Sequence, residues 1–269
     1  MPVDVEAKVI RNTRLSADYN VIALAAPEIA AAVAPGQFVM VKPGRGNDPL
    51  LRRPFSVFEI LRTNGGVEGL TLLSKRVGVT TRMLLDAVEG DIVSCLGPLG
   101  RPFVPVDPPE EAWIVAGGVG LAPFATLAEA LRERGTPTTL FYGARSGREL
   151  FYLDWFSSRG VRLVLATEDG SSGERGRITV PLERALQQTK GSAMIYACGP
   201  EPMLEAVAHI SGKYGRRSQV SVERVMGCGM GGCYSCVIPM KDTGGGHHYV
   251  RSCIAGPVFS GTDLVWEHD

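Results

Sequence analysis

Cys228, Cys233, Cys236 and Cys253 are the residues of this 269-residue chain whose type and spacing most directly specify a chemistry. They run Cys-x4-Cys-x2-Cys, and the fourth thiol follows after sixteen intervening residues. That is the ligand spacing of one class of [2Fe–2S] centre. Glycines stand at 227, 229, 231 and 232 of the same loop, so the backbone can wrap an inorganic core in conformations that other residues resist. Backbone N–H groups turned inward would then hydrogen-bond to the sulfurs and stabilise the charge of the reduced state. Four thiolates also suit tetrahedral zinc, but zinc ribbons pair two short Cys-x2-Cys knuckles. Here Cys253 arrives alone, after an excursion holding Gly244-Gly245-Gly246, His247 and His248. Those histidines lack the Cys-x-His pairing of a Rieske centre and read as part of a solvated loop. Three disulfides would be another use of six cysteines. The crowding of four at one end, with Cys95 and Cys198 standing alone, favours metal instead. Cys95, in a strand-like setting, reads as a small buried hydrophobe.

Two further groups of residues suit anionic ligands. Arg52-Arg53-Pro54-Phe55-Ser56 offers a cation, a fixed turn and a hydroxyl within five residues. Leu73-Ser74-Lys75-Arg76-Val77-Gly78-Val79-Thr80-Thr81 leads into a helix whose free N–H groups could receive a cofactor pyrophosphate. Farther on, Gly117-Gly118-Val119-Gly120 follows an apolar strand and enters a helix with Pro123 near its first turn, the setting in which glycine-rich loops approach phosphates. It is not the full G-x-G-x-x-G fingerprint, and a tight strand-to-helix turn is the plain alternative. Cys198-Gly199-Pro200-Glu201-Pro202-Met203 follows a later strand, so both loops would converge at one edge of a parallel sheet.

The elements needed to hold these residues are legible in outline. Residues 5–10, 19–25, 37–42, 55–61 and 69–74 alternate apolar and polar side chains. Turn residues, among them Asn64-Gly65-Gly66, punctuate them, which predicts a small antiparallel barrel with one helix over 80–87. Proline is dense over 101–111 and marks a linker. Strands then alternate with helices at βαβ spacing: strands over 113–116, 138–143, 161–167, 193–197 and 219–222, helices over 121–134, 150–158, 180–188 and 202–212. The fold class expected is therefore multidomain, α+β and α/β: a barrel at 1–106, a Rossmann-like nucleotide domain at 107–222, and a small cysteine-bearing subdomain at 223–269. That last segment is short enough for a metal to be needed to hold it.

Lys plus Arg and Asp plus Glu both number 28, so no overall charge draws the chain to nucleic acid or to an anionic membrane. The most apolar early stretch, 21–35, is broken by Pro27 and Glu28 and is too short to span a bilayer. The first residues lack the basic and apolar regions of a secretory signal, so a cytoplasmic location is expected.

Taken in order, Arg53-Pro54-Phe55-Ser56, the Gly117 to Gly120 turn with Ala122-Pro123, the Cys198 to Met203 run and the four terminal cysteines resemble the ferredoxin–NADP reductase superfamily. Within it the chain is most similar, over essentially its whole length, to the electron-transfer subunits of bacterial class 1B dihydroorotate dehydrogenases. The resemblance implies that Arg53, Pro54, Phe55 and Ser56 contact FAD and that Leu73, Ser74, Lys75, Gly78, Thr80 and Thr81 complete its site. It implies NAD(H) on Gly117, Gly118, Gly120, Pro123, Gly199, Pro200 and Met203, with Cys198 beside the nicotinamide as the catalytic residue. A small buried hydrophobe is the alternative for Cys198. Many relatives have Gly-x-Gly-Thr where this chain has Gly78-Val79-Thr80-Thr81, which unsettles the phosphate contacts.

A nicotinamide gives up two electrons together while an iron–sulfur centre takes one at a time, so a flavin must stand between them. The resemblance further implies a partner, an FMN-containing dihydroorotate dehydrogenase catalytic subunit, in a heterotetramer with two copies of each chain. Electrons would pass from dihydroorotate through that FMN, the [2Fe–2S] cluster and FAD to NAD+, in pyrimidine synthesis. An NADH-dependent ferredoxin–NADP reductase or a sulfide dehydrogenase shares this architecture, and a colourless, zinc-stabilised interaction module is the reading from another class. NADH and NADPH both stay open, because no acidic residue ends the second strand of the nucleotide domain and Arg145 and Arg148 could attract a 2′-phosphate.

Overall fold

A computed structural model describes residues 1–44, 46–64 and 66–266. The middle glycine of the Asn64-Gly65-Gly66 turn and the last three residues of the 223–269 segment lie outside the described residues.

Alternation of side chains builds the first sheet. β1 (Val3–Arg14), β2 (Tyr19–Ala25), β3 (Phe38–Pro43), β4 (Arg53–Ser56), β5 (Ile60–Thr63), β6 (Gly66–Lys75) and β7 (Ile92–Leu99) pair antiparallel in the order β4-β3-β7-β1-β2-β6-β5. Helices α1 (Pro27–Ala30) and α2 (Val79–Asp86) lie in the connections. Ala7, Val9, Ile22, Leu24, Val39, Leu70 and Leu72 face inward as one core. The sheet curls until the chain between β4 and β5 reaches β6, where Phe58 N–H donates to the Thr71 carbonyl and Thr71 N–H to that of Glu59, both at 2.9 Å. The single strand expected over 55–61 therefore divides. Its first part must pair with β3 and its second with β6, and the chain bends at Val57–Glu59 to serve both edges.

The second sheet grows from β8 (Glu111–Gly117), β9 (Thr138–Ala144), β10 (Arg162–Thr167), β11 (Glu174–Arg175), β12 (Ala193–Cys198) and β13 (Ser218–Ser221), all parallel, with α3 (Phe124–Glu133), α4 (Leu153–Ser157), α5 (Thr179–Gln188) and α6 (Glu201–Lys213) between them. The helix expected over 150–158 is shortened at its start. Tyr152 sits at φ 60°, and its ring meets Phe58 of the barrel edge-on at 4.7 Å while Phe151 lies 4.9 Å from Tyr19. Docking the two domains takes precedence over a further helical turn.

The C-terminal segment contributes a hairpin, β14 (Val237–Lys241) and β15 (His247–Arg251), then α7 (Ser252–Ala255) and β16 (Val258–Ser260). β16 pairs antiparallel with β13 at the edge of the parallel sheet, and Phe259, Leu264 and Trp266 join the core of that domain. Cys236, Cys253 and Met226 pack instead against Phe38, Met40, Leu96 and Leu99 of the barrel. The segment beginning at 223 is thus held by burial against both neighbours, in addition to whatever a metal contributes. Among the described residues no helix is long and apolar enough to cross a membrane.

Candidate functional site

The cysteine loop hangs between Met226 and β14. Its local hydrogen bonds aim donors at sulfur. Cys228 N–H donates to Cys233 Sγ at 3.4 Å, while Met230 N–H at 3.4 Å and Gly232 N–H at 3.2 Å donate to Cys228 Sγ. The Ser235 hydroxyl accepts from Gly227 N–H at 2.9 Å and lies 3.1 Å from Cys233 Sγ. Hydrogen bonds from Ser235 and the surrounding backbone pull the exposed Cys233 thiol down to about 6, so it is largely thiolate at neutral pH and ready to ligate. Burial pushes Cys253 the other way, to about 12, and the neighbouring Cys236 adds to the effect. Gly231 has φ +83°, and a Cβ there would run into the Ile254 side chain, so only glycine lets this turn close on α7. All six cysteines are free. Among the described residues no three His, Cys, Asp or Glu side chains converge on one point as a single ion would need. The donor set itself, four free thiols and several sulfur-directed N–H groups, suits an iron–sulfur core.

On the far side of β3, β4 carries Arg53, Pro54, Phe55 and Ser56 in register with Val41, Met40, Val39 and Phe38. It lies against β6, which ends in Leu73, Ser74 and Lys75. Arg53 is exposed. The Ser74 hydroxyl is buried and has no partner, the kind of orphaned polar atom that a bound group would satisfy. Gly78 and Thr80 open α2, but the Thr81 hydroxyl is already engaged, accepting from Val77 N–H at 2.8 Å and Gly78 N–H at 2.9 Å. Thr81 therefore caps its own helix, and the N–H groups beyond it are what the helix start offers a phosphate.

Between the two domains opens a cavity of about 500 Å³. Gly117, Gly118, Gly120, Gly199, Pro200 and Met203 line it, with Tyr19 and Lys75 reaching in from the barrel. The β8–β12 register pairs Cys198 with Ala116, which is what brings the two loops together. A Cβ on Gly120 would fall on the Cys198 carbonyl, so the close approach of these turns requires glycine. Pro123 is buried just before α3 and is not at the cavity wall, nor is Cys198. The Cys198 side chain is only 2% exposed and belongs to the apolar core beneath the cavity, and burial drives its pKa well above the usual thiol range. Ending a strand exposes the residues after it, whereas the last strand residue still alternates into the core.

Several wall residues escaped the sequence analysis. Glu168 follows β10, the third strand rather than the second, and stands at the cavity with Arg145 and Arg177. Glu149 pairs with Lys75 at 3.8 Å, and Lys75 lies 5.0 Å over the Tyr19 ring. Glu223 follows β13, lines the cavity and has its carboxyl pKa raised by desolvation. A search for acids after every parallel strand, and not only the second, would have found Glu168 and Glu223.

Comparison with known proteins adds sequence kinship to this geometry. Residues 223–265 match the iron–sulfur cluster binding domain of dihydroorotate dehydrogenase B, and residues 114–209 match the oxidoreductase NAD-binding domain. The dihydroorotate dehydrogenase B (NAD(+)) electron transfer subunit of Desulforamulus reducens is 36% identical over 266 residues, covering 97% of this chain and 98% of that one. Its counterpart from Geobacillus kaustophilus is 38% identical over 239 residues, 86% of each chain. Among solved structures, the NADH-dependent reduced ferredoxin–NADP oxidoreductase superposes with a TM-score of 0.84 at 26% identity, over 98% of this chain and 91% of that one. A ferredoxin NADP+ reductase from Neisseria gonorrhoeae with bound FAD and NADP shares the fold, with a TM-score of 0.65 at 20% identity over 79% of this chain and 92% of that one. Free thiols at iron–sulfur spacing, a glycine-walled interdomain cavity and identity along nearly the whole chain agree, and this protein belongs to the family of dihydroorotate dehydrogenase B (NAD(+)) electron transfer subunits.

Proposed function

We propose that FAD lies at the barrel mouth, a [2Fe–2S] cluster on Cys228, Cys233, Cys236 and Cys253, and NAD(H) in the interdomain cavity, so that the chain relays electrons between NAD(H) and a dihydroorotate dehydrogenase catalytic subunit. The observation that carries this arrangement is the sharing of β3. Phe38 and Met40 of that strand pack on Cys236 and Cys253, and the same strand pairs with β4 (Arg53–Ser56), which lies against β6 with its terminal Ser74 and Lys75. A flavin held on β4 and β6 would stand between the thiols and a nucleotide in the cavity, which supports this order of relay. Bound FAD supplies the exchange between paired and single electrons that the two neighbouring groups require.

The chain's own residues do the positioning. Arg53 offsets phosphate charge, the Ser74 hydroxyl donates to the cofactor, and the α2 start presents its N–H groups. Gly117, Gly118, Gly120 and Gly199 let nucleotide approach the backbone, with Pro200 and Met203 forming the apolar wall. Cys198 acts from the floor beneath Gly120 and Gly199, keeping water out from under the nicotinamide. Glu168 accepts from a ribose hydroxyl, which favours NAD(H) over a 2′-phosphorylated nucleotide. The partner brings FMN, two copies of each chain assemble, and a reducing cytoplasm suits six free thiols.

Anaerobic preparation of the complex should yield about two iron and two acid-labile sulfide per chain, with one FAD, and dihydroorotate should reduce NAD+ only when both subunits are present. Iron-free protein containing stoichiometric zinc would overturn the cluster. Full activity toward another electron donor, with none toward dihydroorotate, would replace the partner.

A further inference from the structure

Arg251 closes β15, two residues before Cys253, and no carboxylate pairs with it among the described residues. Its Nη1 donates to the Gly231 carbonyl at 2.7 Å, and its guanidinium lies 4.6 Å over the Tyr234 ring. Gly231 and Tyr234 flank Cys233, so one half-buried side chain fastens the cysteine loop to the strand that delivers the fourth thiol. The next residue adds a second tie, since Ser252 N–H donates to the Cys236 carbonyl at 2.9 Å.

The Gly231 carbonyl and the Gly232 N–H belong to one peptide unit. That N–H is the donor to Cys228 Sγ at 3.2 Å. A cation bonded to the oxygen end of a peptide polarises it and strengthens the bond made by its N–H end. Arg251 therefore reaches the Cys228 sulfur through a single peptide plane.

We propose that Arg251 is a positioning residue that sets the reduction potential of the proposed cluster, through the Gly231–Gly232 peptide and through its own unpaired charge. The inference rests on the cluster assignment above. Reduction adds one electron and no proton, so the added charge must be stabilised by hydrogen bonds and fixed cations. Removing Arg251 weakens the donor to Cys228 and withdraws a charge from a partly buried site where screening is poor. Both effects disfavour the reduced state and move the potential in the negative direction. Lysine keeps the charge and can still donate to the Gly231 carbonyl, although it loses the planar stack on Tyr234.

An EPR-monitored redox titration of the intact complex tests this, with the FAD potential as internal reference. In Arg251→Gln the cluster potential should move negative, with a roughly tenfold lower ratio of reduced to oxidised cluster at a fixed solution potential, the effect of one hydrogen bond to a charged group. Arg251→Lys should recover most of that shift, and the FAD potential should stay unchanged in both. Full iron content with an unmoved potential in Arg251→Gln overturns the proposal, as does an Arg251→Lys potential displaced as far as that of Arg251→Gln. Should Arg251→Gln shed its iron, Arg251→Lys decides: a retained cluster near the parent potential supports the role, and a lost one overturns it. A parent chain without iron would sink the cluster assignment itself, and that failure is visible before any substitution is made.

Discussion

The cysteine loop and the interdomain cavity are both walled by glycine, yet they are built on different principles. Three of the four thiols come from the stretch Cys228 to Cys236, and the bonds made within that loop, such as Gly227 N–H to Ser235 Oγ at 2.9 Å, span at most eight residues, with Arg251 and Ser252 supplying the ties from farther along the chain. The cavity instead gathers Tyr19, Lys75, Gly117, Glu168, Gly199 and Glu223 from two domains, and it exists only because β8 and β12 pair in one register. A site written in consecutive residues keeps its shape when distant parts move. A site assembled from strand ends is as good as the packing that aligns them.

The hardest way to break that contrast is to remove one of the loop's own thiols. Cys236→Ser should abolish the cluster while NADH still reduces FAD at a near-parental rate. Iron analysis alongside stopped-flow flavin reduction reads both, and two irons retained in the variant would remove Cys236 from the ligand set. A smaller effect, confined to the other site, is expected from Gly120→Ala, whose Cβ would meet the Cys198 carbonyl. Displacing that turn should slow NADH-dependent flavin reduction by about tenfold to a hundredfold, the usual cost of a misplacement on the order of 1 Å, and leave iron content intact. An unchanged rate would show that the two turns have slack between them.

The smallest effect belongs to Glu223. Glu223 is exposed to the cavity, and the crowding of its wall still holds the carboxyl pKa above the ordinary 4.5, so the folded state slightly favours the neutral acid. Any stability tied to it is complete below that ordinary value and is lost as pH rises through the raised one. Glu223→Gln, which cannot ionise, should therefore melt slightly higher than the parent at neutral pH, and the two curves should converge below the ordinary carboxyl pKa. Melts across that range check the sign, and a variant less stable at pH 7 would mean that the carboxylate has a stabilising partner.

Much of this molecule was legible in its residues because its periodicities are short. The thiol spacing, the alternation of the barrel strands and the βαβ rhythm each need only a window of a few residues to be read. The misread places are those where distant elements compete for a segment. Residues 55–61 alternate like one strand, but barrel closure bends them, and residues 150–158 have helical composition, but docking of Phe151 and Tyr152 on the barrel takes the first turn away. Cys198 shows the same limit at a single position: the end of its strand could be seen in the sequence, the direction of its side chain could not.

By itself, then, the sequence determined the thiol spacing, the order of the strands and helices in outline and the glycines that permit close approach, because all three are properties of chemistry and local conformation. Only the tertiary structure decided that β16 returns to seal the nucleotide sheet, that Cys236 and Cys253 lean on Met40 of the barrel, that Glu168 and Glu223 share one cavity, and that Arg251 reaches Cys228 through a peptide twenty residues before it in the chain. Each of these joins residues far apart in the chain, and such contacts are selected by burial and register across the whole fold, which no short window of sequence contains.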